Sequence, residues 1–263
     1  MLPIYKAISF DKVLDGGSTR PWLVVVRAGD ALTPYVVKLY KKQHVDQSFS
    51  VAKDVFCSIL AKEFELETPE AALIEFSDAF IKGLPPEIRA ELVAKDKRIK
   101  FGCQFIEGAF QYLEDLHRDN LKKYQIETIY AFDNLIKNSD RRIGKSNILL
   151  KGTSSYLIDH ELTFTVNAST IEDFKNNVWV YFKANHIFYN FLTKGSLVDK
   201  RTYFQDFEDS IKGINFDVLD SYNEQLIKFG HHTEENYSIL KEYLCHIKQN
   251  SSKFVFLLRA DIA

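Results

Sequence analysis

Cysteine is scarce in this chain: Cys57, Cys103 and Cys245 are the only three among 263 residues, odd in number and far apart. No pair has metal-ligand spacing, so a zinc site is not expected and each is read as a reduced core thiol. An excess of charge of one sign is missing too. The 34 Lys and Arg nearly balance the 36 Asp and Glu, for a formal net charge of −2. A dedicated DNA-binding protein normally carries a basic excess, so direct nucleic-acid binding is not expected. Long hydrophobic runs are absent. The most apolar stretch, residues 178–192, is interrupted by Lys183, Asn185 and His186, too short and too polar to span a bilayer. Residues 1–6 show no basic segment leading into an apolar one, so no secretory signal is read and a cytoplasmic location is expected.

Aromatic side chains are plentiful, with 21 Phe and 13 Tyr to fill a core, which excludes disorder as the main state. Apolar residues at 46% and charged ones at 27% are ordinary for a globular protein. At roughly 150 residues per domain, the length suits one large domain or two packed lobes.

Hydrophobic periodicity divides the chain. Apolar runs at 4–10, 22–27 and 35–40, separated by turn residues, read as strands. A helix is predicted over 49–64, where Val51, Ala52, Val55, Phe56, Ile59 and Leu60 fall at helical spacing. Strands follow at 71–76 and 101–106, with an exposed, charged insertion between them. Glu107 and Gly108 close the last of these, and we place a boundary there: a β-rich lobe over 1–106 and a helical lobe over 107–263. In the second part a hairpin pairs 148–150 with 156–158, and helices are predicted over 126–137, 176–192, 201–212, 215–230 and 233–258. The expected class is α+β and bilobal, an order that matches a kinase.

Phosphoryl transfer needs a phosphate cradle, a cation on the phosphates, an oxygen cage for magnesium and a base near the acceptor hydroxyl. The sequence holds a candidate for each, in kinase order. Gly16, Gly17, Ser18 and Thr19 lie between two strands, where glycines let backbone N–H groups approach phosphate; a plain hairpin turn is the competing reading. Lys38 is a single cation inside an apolar strand, with Asp54 on the next helix as its partner; a solvent-facing edge lysine is the alternative. Asp140 opens a polar loop that reaches Asn147, and Asp159 ends an apolar strand nineteen positions after Asp140. A polar turn with Asp159 as a strand-end cap is the structural alternative, and the shared order of these groups weighs against it. His160, His231 and His232 read as structural, and His117 and His186 as helix-face residues.

These segments resemble the HipA-like kinases, specifically the compact single-chain branch rather than the full-length toxins. The resemblance is carried by Gly16 to Pro21, by Val36-Val37-Lys38, by Asp54 through Ala71, and by Phe101-Gly102. It continues in Phe132-Asp133-Asn134, Asn138-Ser139-Asp140-Arg141, Asn147-Ile148-Leu149-Leu150 and Ile158-Asp159-His160. It implies a fold akin to protein and phosphatidylinositol kinases, ATP with magnesium, and Ser/Thr phosphorylation of a protein substrate. An antitoxin-type partner belongs to the same expectation. By the resemblance Asp140 is the catalytic base, Asn147 and Asp159 hold magnesium, Lys38 contacts the phosphates, and the backbone of Gln104 to Ile106 meets adenine. Three positions depart from the usual pattern: Lys145 stands five residues after Asp140 where an Asn is usual, Asp54 replaces Glu, and His-Glu follows Asp159. Lys145 and Asp54 motivate an alternative function, a nucleotide-binding pseudokinase that acts as a partner-binding module; a small-molecule or lipid kinase would share the same site.

Overall fold

Alternating apolar residues fold the first hundred positions into a closed sheet. The computed structural model describes residues 1–15, 19–112, 121, 123–179 and 185–263. Strands β1 (Ile4–Val13), β2 (Trp22–Ala28), β3 (Ala31–Val37), β4 (Ala71–Glu75) and β5 (Lys100–Gln104) form a barrel in the order β1-β2-β3-β5-β4. All neighbours are antiparallel except β1 and β4, whose parallel pairing of Ile4 with Leu73 closes the ring. Trp22, Val24, Val26, Val37, Ala72 and Ile74 fill the interior, as β-branched and aromatic residues do on a pleated surface. Trp22 also packs edge-on to Phe10 and is stacked on Phe76.

The β5 register brings Gly102 opposite Val37 and Ala72. A Cβ there would lie 2.7 Å from Ile74 Cγ1. Gly102→Ala is therefore expected to overpack the barrel and to cost about 1–3 kcal/mol, read by denaturant unfolding. An unchanged midpoint would mean that Ile74 yields freely.

Helix α1 (Lys42–Asp46) leads to α2 (Ser50–Glu63), in which eleven of fourteen residues are buried. A helix buried on so many sides lies inside the molecule, and its buried Asp54 must find a partner there. It packs on β5 and on a helix of the second half, Asp220–Lys228. The charged insertion forms two short helices, α3 (Asp78–Gly83), capped by the Ser77 side chain, and α4 (Pro86–Leu92), with proline in its first turn where no N–H is needed.

The second half begins with β6 (Phe110–Gln111), which joins β7 (Ile148–Lys151) and β8 (Ser154–Leu157) in a small antiparallel sheet. Its helices are α5 (Ile126–Leu135), α6 (Ala168–Lys175), α7 (Tyr189–Thr193), α8 (Leu197–Thr202), α9 (Gln205–Gly213), α10 (Asp220–Lys228), α11 (Glu234–Gln249) and α12 (Ser251–Ile262). Strands thus gather in the N-terminal part and helices follow. The helix expected over 176–192 is corrected among the described residues: a capping box between Asn167 and Thr170 starts α6 earlier, residues 176–179 follow its end without helix, and α7 begins at Tyr189, while 180–184 lie outside the described residues. His186 accordingly lies on no helix face but in an isolated bridge with Arg142, and His117 lies outside the described residues. The longer predicted helices are also divided, at Phe204 with φ +66° and at Asn250. Among the described residues no helix is long and apolar enough to cross a membrane.

Candidate active site

Lys38 follows the last residue of β3, and its backbone N–H donates to Phe101 O at 3.1 Å. Barrel pairing therefore fixes where its side chain starts. Its ammonium donates to both oxygens of Asp54, at 2.8 and 2.9 Å, and to Asp159 Oδ1 at 2.8 Å. Burial alone would push the lysine pKa down, but Asp54, Tyr40 and Asp159 outweigh it and hold the group well above its ordinary value. Asp54 also accepts from Tyr40 OH at 2.5 Å and from the His160 N–H at 3.0 Å. The α2 carboxylate is thus a junction between barrel and loop.

Asp159 sits two residues past the end of β8 with φ +61°, a left-handed conformation that Asp tolerates better than most residues. Burial raises its pKa, yet Lys38 and Lys145 dominate and bring it to about 2. The Ile158 N–H donates to Asn147 O at 3.1 Å, which sets Asn147 beside it. Asn147 Nδ2 donates to Asp140 Oδ2 at 3.1 Å. Asp140, Asn147 and Asp159, distant in sequence, thus share one corner, together with Lys38 and Lys145.

The loop from Asp140 to Asn147 is anchored from below by groups that sequence reasoning gave no role of their own. Asp133, on α5, accepts from Arg141 Nε at 2.5 Å and Asn138 Nδ2 at 2.8 Å, and lies 3.0 Å from His186 Nε2. Arg141 also donates to the carbonyls of Asn147 at 2.5 Å and Ser146 at 3.3 Å, and the Asn138 side chain accepts from the Asp140 N–H at 3.0 Å. Burial opposes ionisation of Asp133, but Arg141 and His186 bring its pKa to about 2. The signal was present: Asp133 is a charge on the apolar face of a helical pattern, three and four residues from Tyr130 and Ile129. His160 lies 3.3 Å from Arg141 Nη2, and burial together with Arg141 pushes its pKa down to about 3, so it is a neutral acceptor.

Lys38, Asp54, Lys145, Asn147 and Asp159 line a cleft of about 710 Å³ whose apolar wall includes Val36, Phe101, Leu149 and Leu157. Thr19, Gln104 and Ile106 line it as well. The Gln104 N–H is committed to Glu70 O at 2.8 Å and the Phe105 N–H to Pro34 O at 2.9 Å. Gly16, Gly17 and Ser18 lie outside the described residues.

A barrel-borne lysine paired with a helix carboxylate, facing a loop with Asp, Asn and a second Asp, defines a kinase-type phosphotransferase. The chain is similar in fold to the crystal structure of a Helicobacter pylori proinflammatory kinase, CtkA. That likeness covers 100% of this chain and 98% of the other, with a TM-score of 0.54 at 12% identity. The family model of the HipA-like kinases matches residues 8–247, and the chain belongs to that family. A comparison with the curated proteins finds no match.

Proposed function

We propose that this HipA-like kinase uses ATP and magnesium to phosphorylate serine or threonine hydroxyls of a protein, in a cleft between lobes formed by residues 1–106 and 107–263. The observation that carries the reading is the convergence of Lys38, Asn147 and Asp159 on one cleft wide enough for a nucleotide, with Asp140 held against Asn147 and Lys145 of its wall. The donor set fits magnesium. It offers only carboxylate and amide oxygens, and among the described residues no group of three or more His, Cys, Asp or Glu is arranged as a complete cage. Magnesium is usually held by one or two carboxylates plus substrate phosphates. Asn147 and Asp159 are the residues that would hold it, and when bound it neutralises charge on the phosphate oxygens.

Lys38 contributes a fixed positive charge toward the phosphates, held in place by Asp54. Asp140 orients the acceptor hydroxyl and takes its proton. Gly16, Gly17, Ser18 and Thr19 are the cradle residues in this reading, of which Thr19 lines the cleft, and Gln104 to Ile106, also at the cleft, would meet adenine. Substrate positioning and charge neutralisation, rather than covalent chemistry, do the catalysis.

The test is magnesium-dependent phosphoryl transfer from ATP by the purified protein. Asp140→Ala is expected to lower the transfer rate by a factor of about 100 or more, and Asp159→Ala to abolish its metal dependence. A second reading, nucleotide binding without transfer, is favoured by the contact of Lys145 with Asp140. ATP binding with no transfer above the level of Asp140→Ala would select it.

A further inference from the structure

Six charged side chains cross the cleft as one line of alternating sign. Asp54, Lys38 and Asp159 form its first half through contacts of 2.8 Å. Lys145 continues it, donating to Asp140 Oδ2 and lying 3.5 Å from Asp159 Oδ2. Arg142 ends it, 3.7 Å from Asp140 Oδ1. Three carboxylates meet three cations, and Lys145 is the cation that joins the base candidate to the metal-ligand candidate.

The backbone aims Lys145 there. Arg142 and Lys145 exchange hydrogen bonds, Arg142 N–H to Lys145 O at 3.1 Å and Lys145 N–H to Arg142 O at 2.9 Å. Gly144 between them has φ +77°, a value glycine adopts without strain. The tight turn folds the Lys145 stem back over Asp140. With its side chain 28% exposed, the ammonium is also open to whatever enters the cleft.

Protein kinases commonly place two divalent ions against the nucleotide phosphates, one held by the loop Asn and both served by the strand-end Asp. In this chain an ammonium already stands between Asp140 and Asp159. We propose that Lys145 is a built-in cation that replaces one of those two ions, so that the site takes a single divalent metal with its nucleotide and Lys145 meets the phosphate oxygens directly. The inference rests on the ATP-dependent reading above. A compact ammonium on a flexible stem suits a phosphate as a point charge. A second divalent ion at the same place would be repelled by it or would have to displace it from two carboxylates.

The test counts ions rather than turnover. The full chain is saturated with a non-hydrolysable ATP analogue and titrated with Mn²⁺, with free ion followed by electron paramagnetic resonance. The wild type is expected to bind one Mn²⁺, as is Lys145→Arg, which keeps the charge. Lys145→Ala and the longer, neutral Lys145→Met are both expected to bind two. At one equivalent of Mn²⁺ both neutral variants should bind the analogue about tenfold more weakly, for loss of a charge-assisted phosphate contact. Two ions in the wild type, or a count unchanged in the neutral variants, overturns the role of Lys145 and leaves the kinase reading in place. Failure of the wild type to bind the analogue at all overturns the kinase reading, and this inference with it.

Discussion

Asp133→Ala is expected to destabilise the fold by about 3–5 kcal/mol, although Asp133 takes no part in the proposed chemistry. Its carboxylate and the Arg141 guanidinium are both fully buried. Truncation leaves a buried cation facing only the carbonyls of Ser146 and Asn147 and the neutral His160 ring. It also frees the Asn138 amide that donates to Asp133 and the His186 ring beside it. At roughly 2–4 °C per kcal/mol for a chain near this size, the melting temperature should fall by about 6–20 °C. Circular dichroism melts measure it. The double variant Asp133→Ala with Arg141→Met should recover part of the loss, because no unpaired charge then remains buried. A loss under about 1 kcal/mol for the single variant would show that water reaches the pair.

Acid is expected to unfold this protein well above the pH at which its carboxylates titrate. Burial pushes three imidazoles far below their ordinary value, His160 to about 3 and His231 and His232 to about 4. Arg141 adds to the effect at His160 and Arg98 at His231. His231 lies 2.9 Å from the Ile99 carbonyl. His232 lies 2.8 Å from Asn223 Oδ1 and is ringed by Phe49, Phe56 and Tyr237. Between the ordinary value near 6.5 and pH 4, the unfolded chain binds protons that the folded chain refuses. Stability is therefore whole above about pH 6.5 and lost as pH falls. Each imidazole contributes a slope of up to about 1.4 kcal/mol per pH unit, and the three together about 4. Against a typical total of about 5–15 kcal/mol, unfolding should set in near pH 5. Asp133 and Asp159, held at about 2, act in the same direction only at lower pH. Urea midpoints at a series of pH values test this. His160→Gln should remove about a third of the slope, and a flat profile down to pH 5 would refute the account.

Much of the site could be read from residue types because its parts contrast with their surroundings. Lys38 is a lone cation in an apolar strand, and Asp54 an acid inside an apolar helical pattern; the structure joins them. Asp140, Asn147 and Asp159 stand out at the edges of apolar runs and meet in one corner. Barrel closure was not legible, because the parallel β1–β4 pairing is a contact between segments some seventy residues apart with no local signature. The helix expected over 176–192 followed apolar content alone. The start signal lay earlier, at Asn167, with Thr170 completing a capping box that usually carries Glu or Gln. The support beneath the catalytic loop was hidden for a similar reason. Asp133 and Arg141 were visible, but His186 reaches them from a turn that periodicity cannot place.

The burial of α2 on nearly every side limits how this enzyme can be turned on and off. Tilting the helix alone would strip cover from Val55 and Phe56 and pull Asp54 from Lys38, Tyr40 and the His160 amide at once. A segment wedged on all sides is an axle, not a lever. Any movement that keeps the core closed must leave α2 seated against both β5 and α10, with the adjustment falling on exposed loops.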